Sequence, residues 1–233
     1  MELDRFFDPV EANLDVTMRW AAAGELDPRD VAEMNQRFVP LLESFPQISS
    51  MLVSTTDGVE YMLLRDGEEW VNRSTDVPGS PGVTYWSRWQ HDASGPAQLW
   101  GKTVEYDPRK RPWFRQAVAA PPGTISWTEP YVFFTTKEPG ITVSSRVRSP
   151  RGELVIAFDV LLLDISRFTS SLEISAGGKA AVLTDDLRVL GLPRAARFAD
   201  PAAMKAAVLG PARDLGVSGV SEAVRAWRGA AGK

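Results

Sequence analysis

The segment Tyr106-Asp-Pro-Arg-Lys-Arg111-Pro-Trp113-Phe114 brings a phenol, a guanidinium and an indole together just ahead of a helical stretch. The planar donor fork of arginine matches a carboxylate. Tyrosine and tryptophan supply rigid apolar walls, each with one polar tip. A helix start adds outward-facing backbone N–H groups that favour an anion. The cluster suits a small anionic or zwitterionic ligand, and it contains no nucleophile–base pair. Taken singly, Arg111 reads as a surface residue and Trp113 as a core anchor; the joint pattern favours a ligand.

Asp159 is the second point of interest. It ends the apolar run Val155-Ile-Ala-Phe-Asp159, where a carboxylate is costly unless it is paired. It pairs either with an arginine or helix N–H groups of the chain, or with the ammonium of a ligand. Arg111 for a carboxylate and Asp159 for an amine would together define an α-amino acid, if the two meet. Trp86, Trp89, Trp100 and Trp127 either stack on sugar rings or belong to the core, which is the usual place for tryptophan. His91 sits in a polar loop and reads as solvated. Arg146, Arg148 and Arg151 read as a solvated hairpin.

The totals exclude several classes. The chain has 233 residues, 44% hydrophobic and 24% charged, which supports a packed core in one large or two small domains. A net charge of −4 argues against nucleic-acid binding. Without cysteine there is no disulfide, zinc–thiolate site or thiol nucleophile. That absence fits the cytoplasm and a disulfide-free periplasmic domain alike. No metal spacing, phosphate loop, dinucleotide fingerprint or nucleophile elbow is present, so no cofactor is expected. No apolar run spans a bilayer, and the acidic start lacks the apolar stretch of a signal peptide. The chain therefore reads either as a soluble protein or as a soluble piece of a larger one.

Several elements must position these residues. Phe7, Val10, Leu14, Met18 and Ala21 recur at helical spacing and predict a helix from about Asp8 to Ala23. Asp27-Pro28 predicts the cap and first turn of a second helix, with Val31, Met34, Phe38, Leu41, Leu42 and Phe45 on one face. Strands at Met51–Ser54, Glu60–Leu64 and Glu69–Asn72 are joined by the hairpin signals Asp57-Gly58 and Asp66-Gly67. Val77–Gly82 reads as a loop, followed by an aromatic-rich stretch and a helix from Pro112 to Ala120. Strands at Tyr131–Thr135, Ile141–Val147 and Leu154–Val160 follow, then a helix at Leu161–Leu172. After Ser175-Ala-Gly-Gly178 come a hairpin around Asp185-Asp186 and helices at Ala202–Val208 and Glu222–Ala226. The class is α+β: a long N-terminal helix and a PAS-like antiparallel sheet, with a second, smaller and incomplete PAS-like unit. The expected boundaries are 1–45 for the helices, 46–160 for the ligand-binding subdomain and 161–233 for the connecting helix and partial second subdomain.

Three stretches taken together, Tyr106 to Ala117, Trp127-Thr-Glu-Pro-Tyr131 and Phe158-Asp159-Val-Leu-Leu-Leu-Asp-Ile-Ser166, resemble the double Cache (dCache) sensor domain. The resemblance covers most of the chain and is strongest from about Glu43 to Ile174. It implies an extracytoplasmic (periplasmic) ligand-binding domain of a bacterial transmembrane receptor: a chemoreceptor, histidine kinase or nucleotide cyclase. The ligand-holding subdomain would be membrane-distal, and receptors of this type would dimerise through the first helix. Membrane segments, and further strands of the proximal subdomain, would lie outside this chain. One branch of the family recognises amino acids. Carried over from it, Tyr106, Arg111 and Trp113 would hold a carboxylate, and Tyr131 and Asp159 an amine. Phe114 departs from that branch, which has tyrosine there. The competing readings are a carbohydrate hydrolase or carbohydrate-binding module, with paired carboxylates and stacking tryptophans, and a protein-interaction domain with a vestigial pocket.

Overall fold

A computed structural model describes residues 3–75, 82–90, 98–175 and 178–231. His91, most of the expected Val77–Gly82 loop, and Ala176 and Gly177 lie outside the described residues. The chain divides into two compact units. The larger comprises Asp8–Tyr131 and Ile141–Val160, the smaller Met1–Phe7, Val132–Gly140 and Leu161–Lys233.

Helix α1 (Asp4–Ala22) buries Val10, Leu14, Thr17 and Ala21 along one stripe, at the spacing that a 3.6-residue period requires. Helix α2 (Val31–Ser44) buries Met34, Phe38, Leu41 and Leu42. Its cap differs from the expectation. Asp30, not Asp27, accepts the N–H of Glu33, at 3.0 Å. Asp27 instead accepts the N–H of Arg29 in a turn ahead of the helix. Two aspartates flank Pro28, and the cap went to the one whose side chain reaches an orphan N–H three residues on.

Strands β1 (Ser50–Thr55), β2 (Glu60–Asp66), β3 (Glu69–Ser74), β4 (Val83–Gln90) and β5 (Gln98–Thr103) follow as antiparallel neighbours. Helix α3 (Pro112–Ala119) and the short strands β6 (Ser126–Trp127) and β7 (Tyr131–Val132) lead to the long strands β8 (Pro139–Ser149) and β9 (Gly152–Leu161). The sheet runs β5-β4-β3-β2-β1-β9-β8-β6, with β7 on β8. Asp66-Gly67 turns β2 into β3, with Gly67 at φ +64°, and sets the register Met62 opposite Arg73. β9 enters the sheet beside β1, which places Asp159 opposite Ser50.

The expected strand at Tyr131–Thr135 shrinks to Tyr131–Val132, and β4, β5 and β6 were not anticipated as strands. Trp86 of β4 stacks on Trp100 of β5, and Trp89 of β4 on Trp70 of β3, one pair on each face of the sheet. Cross-strand aromatic pairs of this kind stabilise sheets.

In the smaller unit, helix α4 (Leu162–Ser171) packs on a hairpin of β10 (Val182–Leu183) and β11 (Val189–Gly191). The Thr169 hydroxyl donates to Leu192 O at 2.7 Å, and the Leu192 N–H donates to Ser166 Oγ at 3.2 Å. Gly191 permits this approach, because a Cβ there would stand 2.9 Å from both Ile165 Cγ2 and Thr169 Cγ2. Helices α5 (Pro201–Ala207) and α6 (Ser218–Ala231) complete the unit. Asp200 caps α5 by accepting from the Ala202 and Ala203 N–H groups. Among the described residues no helix is long and apolar enough to cross a membrane.

Candidate functional site

All six sequence-predicted site residues fall in the larger unit. The motif is built as a turn into a helix. Asp107 accepts the Arg109 N–H and caps a 3-10 turn at Pro108–Lys110. Arg111 is then forced extended (φ −79°, ψ 148°) by the proline that follows it, and it serves as N-cap of α3. Ser144 of β8 donates to Trp113 O at 2.9 Å, and Gln116 donates to Trp127 O at 2.8 Å. The start of α3 is thereby tied to the sheet. Trp113 is buried, and Phe114 packs edge-on against it.

Asp159 has two hydroxyl donors. Ser50 donates to Oδ2 at 2.7 Å and Thr142 to Oδ1 at 2.5 Å. Among the described residues no lysine or arginine nitrogen lies within 4.0 Å of it, although it is only 6% exposed. Burial raises its pKa to about 6. The two hydroxyls and the charge of Arg73 pull that value down, and Glu60 pushes it up. Tyr131 lies 2.7 Å from the Thr142 hydroxyl. Thr142 has one hydrogen and gives it to Asp159, so Tyr131 must donate to Thr142. The Arg111 guanidinium stands over the Tyr131 ring, 5.4 Å from its centre.

Four residues that sequence reasoning missed join the cluster: Ser50, Glu60, Arg73 and Thr142. Arg73 donates from Nε and Nη2 to Glu60 Oε1, at 2.9 and 2.7 Å, and both residues are buried. The Tyr106 hydroxyl accepts from Arg73 Nη2 at 2.5 Å and donates to Glu60 Oε2 at 2.6 Å. The Arg73 guanidinium also stacks 4.0 Å from the centre of the Tyr106 ring. Burial works against the charge on Arg73, but Glu60, Tyr106 and Asp159 outweigh it and raise its pKa. Burial also raises the pKa of Tyr106 and of Tyr131, and the charges of Arg73 and Arg111 act on both phenols in the opposite sense. Arg111, Arg73, Tyr106, Tyr131 and Asp159 therefore share one electrostatic neighbourhood.

The other sequence candidates have structural roles. Trp86 and Trp100 cover each other's faces, as do Trp70 and Trp89. Trp127 donates its ring N–H to Glu11, at 2.7 Å. Arg146 is not a freely solvated residue of the β8–β9 hairpin. It is half-buried, pairs with Glu153 at 3.3 Å and donates to Ala120 O at 3.1 Å. Arg148 and Arg151 are exposed, as expected. Among the described residues no group of three or more histidines and carboxylates is placed to hold a metal ion.

No family model matches the chain. Over 88 residues, 38% of this chain, it is 34% identical to the methyl-accepting chemotaxis protein McpG of Pseudomonas putida. Over 93 residues, 39% of the chain, it is 33% identical to the methyl-accepting chemotaxis protein PctB of Pseudomonas aeruginosa. Each match spans 14% of the relative's own length. Two solved structures are similar in fold. One is the ligand-binding domain of the Pseudomonas fluorescens chemoreceptor CtaA with L-leucine (TM-score 0.53, 16% identity, 91% of this chain and 69% of that chain). The other is the ligand-binding domain of the Pseudomonas aeruginosa amino-acid chemoreceptor PctC with GABA (TM-score 0.51, 20% identity, 91% and 73%). The chain is similar in fold to these bacterial chemoreceptor ligand-binding domains, which is consistent with the double Cache resemblance of its motifs.

Proposed function

We propose that this chain is the extracytoplasmic sensor domain of a bacterial chemoreceptor and that its larger unit binds an amino acid or a closely related amine carboxylate. The observation that carries the reading is Asp159. A buried carboxylate with two hydroxyl donors and, among the described residues, no cation in ion-pairing range is an incomplete electrostatic site, and a ligand ammonium completes it. Arg111, on the other side of Tyr131, supplies the fork for the ligand carboxylate. The ligands named with the two structures of similar fold, L-leucine and GABA, each carry one amine and one carboxylate. Tyr106, Trp113 and Phe114 form the walls.

The sensor carries no catalytic role of its own in this reading. Signalling rests on a ligand's different affinity for two arrangements of the receptor, with dimerisation through α1. The stacking of Trp86 on Trp100 and of Trp89 on Trp70 uses one face of each ring within the sheet, which weakens the carbohydrate reading.

A thermal-shift screen of L-amino acids, GABA, simple organic acids and monosaccharides tests this. A true ligand at a hundredfold its Kd adds roughly 2.7 kcal/mol of stability. Arg111→Ala and Asp159→Asn should each abolish the shift while the protein stays folded. A response to sugars with none to amino acids would replace this reading with the carbohydrate one.

A further inference from the structure

We propose that the Glu60–Arg73 ion pair is a positioning device of the ligand site: it claims the one hydrogen of the Tyr106 hydroxyl, so Tyr106 meets a ligand through its ring and leaves Arg111 as the donor to a ligand carboxylate. The proposal rests on the amino-acid reading and refines it residue by residue.

A phenol has one hydrogen to give. In Tyr106 it points to Glu60 Oε2, 2.6 Å away, while the same oxygen accepts from Arg73 Nη2. Glu60 is fully buried, so it cannot draw replacement donors from water. A ligand carboxylate that took the Tyr106 hydrogen would leave Glu60 with one donor fewer, and an unmet buried acceptor bears the full desolvation penalty. The Arg73 guanidinium also holds the Tyr106 ring by stacking on it, so the side chain is fixed at both its edge and its face.

Tyr131 reaches the same condition by a different route. Its hydrogen goes to Thr142, because the hydrogen of Thr142 goes to Asp159. Neither phenol is then a donor to the ligand. With its hydrogen given to Thr142, the Tyr131 oxygen can act toward other groups only as an acceptor, in the field of the Asp159 carboxylate, and that pair favours N–H groups. The site is polar in one direction: acceptors at Tyr131 and Asp159, a donor fork at Arg111. Glu60 and Arg73 enforce that polarity without contacting the ligand.

Two readouts on the whole chain test this. The first needs no ligand. In protein labelled with 13C at the tyrosine Cζ, the Tyr106 hydroxyl proton should be protected from exchange and shifted downfield, as a proton held by a carboxylate is. The signal should be lost in Glu60→Gln, and in the charge-neutral double variant Glu60→Gln/Arg73→Met should the single variant not fold. The second is calorimetric titration with L-leucine and with GABA. Tyr106→Phe should bind within about threefold of wild type, whereas loss of a donor to a ligand carboxylate weakens binding by roughly 10- to 100-fold. A loss of that larger size in a folded Tyr106→Phe overturns the proposal, and so does a wild-type Tyr106 hydroxyl proton that exchanges freely. If wild type binds neither probe, the ligand reading is what fails for those probes. The hydroxyl signal still decides whether Glu60 and Arg73 hold Tyr106.

Discussion

Thr142 gives its hydroxyl hydrogen to Asp159 across 2.5 Å, and that one bond orders the whole side of the site next to it. It obliges Tyr131 to act as donor toward Thr142 and binds strand β8 to the end of β9 through a side chain. Together with the Ser50 hydroxyl it favours the ionised form of a buried carboxylate that has no ion pair among the described residues.

Asp159 predicts a pH dependence of defined sign. Its folded-state pKa, about 6, lies above its ordinary value. The ionised form is therefore disfavoured in the fold, and the group detracts from stability fully above pH 6. That penalty is relieved as pH falls from about 6 toward 4. It amounts to about 3 kcal/mol by linkage. Between pH 7.5 and 5, urea unfolding should show ligand-free wild type gaining stability relative to Asp159→Asn. Over the same window the thermal shift caused by an amine ligand should shrink, because protonated Asp159 no longer attracts an ammonium. A ligand response independent of pH between 5 and 7.5 would remove Asp159 from the amine site.

Thr142→Val keeps the shape and deletes the relay. Asp159 loses one donor and Tyr131 loses its acceptor, a cost of about 1–3 kcal/mol in unfolding free energy. The Asp159 pKa should rise, since the Thr142 bond lowers it, and the acid edge of ligand binding should move to higher pH. A binding-versus-pH profile that matches wild type would show that the relay does not act on the ligand.

Arg73→Ala should be severe because Arg73 is buried in its ion pair. It strands the buried Glu60 carboxylate, and breaking one side of a buried pair costs about 3–5 kcal/mol. Urea titration measures it. A loss below about 1 kcal/mol, the range of exposed pairs, would mean that water reaches Glu60.

In the smaller unit, Gly191→Ala forces a methyl against Ile165 and Thr169 at 2.9 Å. Overpacking of this kind costs about 1–3 kcal/mol. Hydrogen exchange should show earlier opening of α4 and of the hairpin it packs on.

Phe114→Tyr restores the hydroxyl found in the amino-acid branch that the motif resembles. Phe114 is buried against Trp113, so the new hydroxyl needs a partner there or in the ligand. The ranking of amino acids in the thermal-shift screen should change. An unchanged ranking would mean that position 114 stands off the ligand.

The local motifs were legible because they depend on near neighbours. The Pro112 turn and the Asp66-Gly67 hairpin follow from adjacent residues, and the structure has both. The α+β class followed from periodicity, and so did the identity of most buried residues of α2. The strands β4 and β5 escaped because they show no clean period-2 alternation, and their tryptophans suit a pocket as readily as a sheet. Glu60 and Arg73 escaped for another reason. Each alone reads as a surface charge on a half-buried strand. Only the hairpin register, with Arg73 opposite Met62, brings them onto one face, two residues apart along β2.

The sequence by itself determined the helices and the strands with clean patterns, the motif at the start of α3 and the improbable carboxylate at the end of β9. Tertiary structure decided which polar groups satisfy one another. Hydrogens are single and burial removes water, so assigning Thr142 to Asp159 and Tyr106 to Glu60 also settles what each has left to offer. That assignment depends on strands brought together from positions 50, 60, 73, 131, 142 and 159, a juxtaposition no local pattern encodes.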